Sequence, residues 1–263
     1  MPVTVCALAI APVKGMRLVG VEELEIGPSG PVGDRAFVVV EAGGEHDLVS
    51  TERTPELLQV TPDWDRVGAG RLELRFPGGE AVAAVPRAQE AVRTRLYDGR
   101  SLSGRLVAAG PLCRALSAHL GRGVRLMAVD GGETGADDFP VTLMSRASLA
   151  AVGEALGTGE PDPRRFRMTV TVEGVPAWEE HGWPGREVAV GRELRLRVID
   201  PVPRCVVTTR HPQEGTRDAP VLRALAGLRG KDDVTFGVWC QVAAAGVVRR
   251  GDAVRVMGGE RSG

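Results

Sequence analysis

Over the first half of the chain, apolar positions come in short runs at residues 3–11, 19–26, 35–41, 47–50, 57–61 and 71–76. Turn residues, among them Pro28-Ser29-Gly30, Gly43-Gly44 and Pro77-Gly78-Gly79, separate the runs. The pattern predicts short strands, and strands at this spacing with few helical stretches predict a small barrel or sandwich. The first clear helical pattern covers residues 111–120, with Pro111 at its start and Gly121 as its stop. A domain boundary is expected there, giving domains at 1–120 and 121–258 and a frayed tail at 259–263.

The second half opens with a predicted strand at 124–129, a Gly- and acid-rich loop at 130–138 and a strand at 139–144. A helix follows over 145–156, with Ser145 as N-cap and apolar residues at helical spacing. Strands are predicted at 168–173, 187–190, 236–242 and 253–257, and a helix at 219–228. The run Leu194-Arg195-Leu196-Arg197-Val198-Ile199 alternates apolar and charged residues, the period of a half-buried strand, and should end at Asp200-Pro201. The expected fold class is mainly β with a few helices (α+β).

At 263 residues the chain can bury a substantial core without disulfides or a structural metal. Cys6, Cys113, Cys205 and Cys240 lie far apart and never form C-x-x-C, so neither a zinc knuckle nor a dithiol motif is present. The apolar N-terminus lacks the basic flank of a signal peptide and is too short to span a bilayer, so a cytoplasmic location away from membranes is expected. The formal charge is -1, from 33 basic and 34 acidic residues, and aromatics are 4% of the chain. No global field recruits nucleic acid, and any anion must be bound by a local cluster.

The candidate chemistry centres on Pro203-Arg204-Cys205-Val206-Val207-Thr208-Thr209, a thiol near a strand end beside a guanidinium and two hydroxyls. A cation there favours the thiolate, the form that ligates metal or attacks. A small buried apolar cysteine is the even alternative. Lys14, followed by Gly15, could grip a phosphate or be a solvated loop lysine. Asp34-Arg35 reads first as a structural pair, and Thr51-Glu52-Arg53 as a surface turn that could present a cation. In Arg164-Arg165-Phe166-Arg167, strand alternation would send Arg165 and Arg167 to one face and Phe166 to the core. The paired guanidiniums suit a phosphate or carboxylate; a solvated basic edge is the equal alternative. Asp137-Asp138 reads as a solvated acidic loop, and His46, His119, His181 and His211 show no metal-ligand spacing. G-x-S-x-G and Walker motifs are absent.

Taken in order, these stretches resemble the two-part MOSC family, named for the C-terminal domain of molybdenum cofactor sulfurases. Ala11-Pro12-Val13-Lys14-Gly15 and Gly33-Asp34-Arg35 look like its "YPVKS" and "G-D-R" signatures. Asp138-Phe139-Pro140, Ser145-Arg146-Ala147-Ser148, Arg165-Phe166-Arg167, Trp178-Glu179-Glu180-His181, Arg204-Cys205 and Phe236-Gly237 follow in family order. The resemblance implies an N-terminal β-barrel-like domain packed on a β-barrel MOSC domain, with molybdopterin between them.

In the branch that includes the mitochondrial amidoxime reducing component, the cysteine of "RC" ligates molybdenum, a role carried here to Cys205. Lys14, Gly15, Arg35, Arg53, Arg165, Arg167 and Arg204 would then hold the cofactor's phosphate and pterin, with Ser148, Thr208 and Thr209 donating hydrogen bonds. The implied activity is reduction of a small N-hydroxylated or N-oxide substrate. No second cysteine cluster could hold an iron–sulfur centre, so electrons should come from a separate ferredoxin- or flavin-type reductase. Two alternatives stand beside it: sulfur transfer through a Cys205 persulfide fed by a cysteine desulfurase, and a non-catalytic binding module. The chain departs from the family with Met168-Thr169 where Pro-Asn is common and Gly15 where serine is frequent.

Overall fold

A computed structural model of the chain describes residues 2–66, 68–131 and 133–258; the tail expected at 259–263 lies outside the described residues. The described strands form four sheets. The largest has eight strands in the order Val254–Val256, Glu187–Val190, Leu194–Pro203, Thr235–Ala244, Val141–Ser145, Val170–Glu173, Thr4–Ile10 and Val19–Val21. Its neighbours are antiparallel except for the parallel pair Val141–Ser145 and Val170–Glu173. The sheet curls around its own core, and the segment leading into its edge strand Val254–Val256 meets Thr4–Ile10, next to the opposite edge, through a bridge between Thr4 and Ala253 and the bonds Val254 N to Val3 O (2.8 Å), Val5 N to Asp252 O (2.9 Å) and Gly251 N to Val5 O (2.8 Å). It is therefore barrel-like, although its ladder does not close continuously.

A four-stranded antiparallel sheet orders Phe37–Glu41, Val124–Val129, Ser101–Val107 and Ala88–Arg95. Two three-stranded sheets complete the set: Gly246–Arg249, Glu23–Gly27, Gly30–Pro31, and Thr61–Asp65, Arg71–Arg75, Ala81–Ala84. Three of these sheets cross the division expected after residue 120, since Gly246–Arg249 also pairs with Glu23–Gly27. Thr4–Ile10 enters the large sheet beside Val170–Glu173, and Val124–Val129 pairs with Phe37–Glu41.

Among the described residues three α-helices pack on this framework. Helix α1, Pro111–Leu120, has proline in its first turn and closes on Gly121 in the left-handed region (φ 66°), as its sequence predicts. Helix α2, Arg146–Leu156, is capped by Ser145, whose Oγ accepts from Ser148 N at 3.0 Å. Helix α3 spans Val221–Arg229. Phe37–Glu41 reads as a continuous apolar run because it is buried on both faces: Phe37 and Val39 join one core, Val38 and Val40 another.

Several expectations are corrected. Residues 57–60 form no strand, and Thr61 begins the strand Thr61–Asp65; Pro55–Gln59 is a 3-10 turn that buries Leu57 and Leu58, since so short an apolar run does not distinguish strand from helix. Residues 47–50 contribute only an isolated bridge from Leu48 to Val40. Leu194–Pro203 does not stop at Asp200-Pro201; it continues through shifted register, with Pro201 opposite Val238 and Pro203 opposite Thr235. Register irregularities are where a strand accepts proline. Arg164 to Phe166 lie not in a strand but in the 3-10 turn Pro163–Phe166, and Arg167 follows with positive φ (54°).

Candidate functional site

The end of the Leu194–Pro203 strand, the Pro163–Phe166 turn and the Lys14 and Arg35 loops converge on a cavity of about 360 Å3, within the range of small-molecule sites. Of the expected site residues, Lys14, Gly15, Arg35, Arg165, Arg167, Arg204, Cys205 and Thr208 line it, while Arg53, Ser148 and Thr209 do not.

Cys205 is exposed, which settles its local ambiguity against a buried structural thiol; Cys113 and Cys240 are buried and Cys6 is partly buried. It precedes the 3-10 turn Val206–Thr209. Thr208 Oγ1 donates to Cys205 O (2.9 Å) and Thr209 Oγ1 to Val206 O (2.7 Å). Each hydroxyl has one proton, so these two brace the cysteine turn and are not free donors for a ligand. Ser148 is likewise committed: buried in α2, it donates to Glu180 Oε2 (3.0 Å) and accepts from Trp178 N (2.7 Å). Glu180, fully buried, also accepts from Ser145 N (3.1 Å), which places its carboxylate at the α2 N-terminus, where negative charge is favoured.

The cavity cations differ in what they hold. Arg204 donates to Phe236 O (Nη2, 2.6 Å) and Phe166 O (Nη1, 3.1 Å), and Nη2 lies 2.8 Å from Met168 Sδ. Its guanidinium sits 5.7 and 5.9 Å from the rings of Phe166 and Phe236, which stack 3.9 Å apart. Burial pushes Arg204 down to about 9, with the nearby Cys205 pulling the other way. Arg204 therefore clamps the turn to the strand rather than presenting a fork to a ligand. Arg165 is buried in a two-point pair with Asp218 (2.7 and 2.5 Å) and donates to Arg210 O (2.6 Å).

Arg35 pairs with buried Asp34, whose Oδ1 accepts from Ala11 N (2.7 Å). The Asp34-Arg35 pair is thus structural, as its local sequence suggests. Burial opposes the charge on Arg35, but Asp34 and Asp137 outweigh it and hold its pKa above the ordinary value. Lys14 Nζ donates to Asp137 Oδ1 (2.5 Å) and Gly135 O (2.7 Å). Burial lowers its pKa against the pull of Asp137.

Arg165 Nε and Arg167 Nη2 are the cavity cations' unmatched donors. Arg167 Nη1 donates to Met16 O (2.8 Å), while Nη2 is buried without a hydrogen-bond partner. Burial and the neighbouring Arg35 push the pKa of Arg167 down to about 10, against Asp34, Asp137 and Cys205. A buried guanidinium N–H with no acceptor is costly. Arg165 and Arg167 each carry such a donor and both line the cavity, so an anionic oxygen that reached either would be stabilised.

Gly15 does not leave room for a ligand: a Cβ there would meet Thr51 Oγ1 at 2.6 Å, and its φ is +86°. The glycine accommodates the chain's own Thr51, which donates to Gly15 O (3.2 Å). Met168 and Thr169 are both buried. Met168 fills space beside Gly237, where a Cβ would fall 2.4 Å from Met168 Cε. Thr169 N donates to Thr142 Oγ1 (2.9 Å), and both threonines line the cavity. The residue reading passed over Tyr97, Thr142 and Trp239, which also line it. Scarcity of aromatics could have singled out Tyr97 and Trp239, while Thr142 carried no signal.

Residues 2–107 match the family described as the MOSC N-terminal beta barrel domain, and residues 130–255 match the MOSC domain. The chain belongs to the MOSC family. Human molybdenum cofactor sulfurase is 24% identical over 92% of this chain and 30% of its own length. The Caenorhabditis briggsae molybdenum cofactor sulfurase is 24% identical over 96% and 36%. The chain thus spans about a third of the length of these curated relatives. The solved YuaD protein of Bacillus subtilis superposes with a TM-score of 0.50 at 15% identity, over 97% of this chain and 96% of that one, which shows the fold alone. Among the described residues no helix is long and apolar enough to cross a membrane.

Proposed function

We propose that this MOSC protein is a molybdenum-cofactor-binding oxidoreductase that reduces N-hydroxylated or N-oxide substrates with electrons from a separate ferredoxin- or flavin-type reductase. The observation that carries the reading is an exposed thiol and an unsatisfied buried guanidinium on one cavity, Cys205 and Arg167. The residues fit an anionic, metal-bearing group. The thiolate of Cys205 is a soft ligand, and Arg167 Nη2 lacks an acceptor. No cluster of three His, Cys, Asp or Glu suited to a metal exists among the described residues, so a metal at Cys205 would take its other ligands from a cofactor.

When bound, the molybdenum cofactor supplies two-electron redox chemistry at the metal. Cys205 would ligate it and tune its potential, while Lys14, Arg35 and Arg167 would hold its phosphate. Phe139 and Trp239, packed 5.8 Å apart on the cavity wall, would exclude water. The balanced outcome is an N–OH compound plus two electrons and two protons giving an N–H compound and water.

The test is molybdenum by elemental analysis and pterin fluorescence on wild type and Cys205→Ala from a cofactor-proficient host. Near-stoichiometric metal and pterin in the wild type, with metal lost and pterin kept in the variant, is the expected result. Absence of both in the wild type would overturn the reading. The exposed Cys205 also favours a second reading, sulfur transfer, in keeping with relatives named molybdenum cofactor sulfurase. A desulfurase would deliver sulfur to the Cys205 thiolate as a persulfide. Mass spectrometry after incubation with desulfurase and cysteine should then show one added sulfur on that residue, and its absence counts against this reading.

A further inference from the structure

Lys14 and Asp137 meet across a long stretch of sequence, and the two are unequally placed: the Lys14 side chain is 14% exposed, that of Asp137 48%. Arg35 is tied instead to an Asp34 whose side chain is 1% exposed. Asp137 lies in the non-regular segment 133–138, held by contacts from the hairpin made by Ala88–Arg95 and Ser101–Val107 and from its connecting turn. Tyr97 Oη donates to Asp138 Oδ2 (2.7 Å), Arg100 Nη2 to Ala136 O (3.2 Å) and Ser103 N to Glu133 Oε2 (2.8 Å). These bonds seat an exposed carboxylate on a mostly buried ammonium at the wall of the cavity that Arg167 also lines.

We propose that Asp137 is a selectivity counterion: it occupies Lys14 until an anion that can engage both Lys14 and Arg167 displaces it, so the cavity accepts a phosphate dianion and refuses a singly charged carboxylate. This rests on the reading that these cations hold a cofactor phosphate. A free carboxylate replacing Asp137 exchanges one charge-assisted bond for another and loses its freedom of movement, competing with a tethered group already in place. A phosphate carries more charge and three acceptor oxygens, so it can keep the Lys14 bond and also satisfy Arg167. The electrostatics agree, since Arg35 and Arg167 both oppose the charge on Lys14 while Asp137 supports it.

The test is calorimetric titration of the full chain, purified from a host that makes no molybdopterin, with inorganic phosphate and separately with acetate. Wild type should bind phosphate and not acetate. Asp137→Asn, and Asp137→Ser as a second variant, should bind phosphate at least tenfold more tightly and acquire acetate binding, with thermal melts confirming that each is folded. Asp130→Asn removes the same charge from an exposed residue of the same loop outside the cavity lining and should match wild type. The proposal is overturned if the Asp137 variants keep wild-type phosphate affinity, if Asp130→Asn gives an equal gain, or if no folded protein binds phosphate. Cofactor content in a proficient host is a separate measurement. A wild type with no pterin but the expected phosphate pattern would remove the reductase reading and leave the counterion.

Discussion

Two regions of one cavity use the same residue types to opposite ends. In the clamp, Arg165 and Arg204 direct most of their donors into the protein, to Asp218 and to the carbonyls of Phe166, Arg210 and Phe236, and leave only Arg165 Nε unmatched. At the mouth, Lys14 holds an exposed carboxylate and Arg167 keeps one donor unmatched. The clamp makes the cavity rigid and the mouth leaves it receptive. Charge in the sequence therefore does not reveal which cations can bind; the partner of each does.

The sharpest way to break this contrast is Arg165→Ala, which leaves Asp218 without its two-point partner. Urea unfolding should show a loss of about 3 kcal/mol, the scale of a broken buried pair. Arg204→Met should cost about 2 kcal/mol by the same measurement, because Phe236 O and Phe166 O lose a charged donor and two rings lose a stacked cation.

A pH series sharpens the clamp side further. His181 sits edge-on to Trp178, 5.4 Å between centroids, with neither ring nitrogen hydrogen-bonded. Burial, helped by the Arg229 charge, pushes its pKa from 6.5 down to about 4. Between those values the unfolded chain binds more protons, so the stabilisation is complete above about pH 6.5 and is lost as pH falls toward 4. His181→Phe should flatten the fall in melting temperature across that window. The smallest effect on stability belongs to Arg167→Gln, within about 1 kcal/mol, since one carbonyl bond is lost while an unsatisfied donor is removed. Yet pterin retained per chain after gel filtration should drop at least tenfold. A large loss of stability in Arg167→Gln with pterin retained would erase the distinction between mouth and clamp.

Local sequence was legible where local physics decides. Helix α1 is read from Pro111 and Gly121, α2 from Ser145, and the Leu194 to Val198 alternation from burial of Leu194, Leu196 and Val198. Ala88–Arg95 is not legible in the sequence because it is exposed at almost every position and carries no apolar alternation, and Ser101–Val107 is not because one of its alternate buried positions is Gly104, which adds no apolar side chain to the pattern. Ser148 looked like a ligand donor because its acceptor, Glu180, lies 32 residues away. Arg53 looked equivalent to the other cations, although it is exposed and outside the cavity lining.

By itself the sequence determined that the chain is mainly β with a few helices, that its motifs follow MOSC order, and that Cys205 lies near a strand end beside an arginine. Periodicity, caps and motif order are short-range properties carried by neighbouring residues. Only the tertiary structure decided that Cys205 is exposed, that Arg204 and Arg165 are fastened inward, that Thr4–Ile10 enters the second half's sheet, and that Asp137 sits on Lys14. Each of those outcomes depends on which distant group a side chain or strand finds, and hydrogen-bond and charge partners are chosen by the fold, not by spacing along the chain.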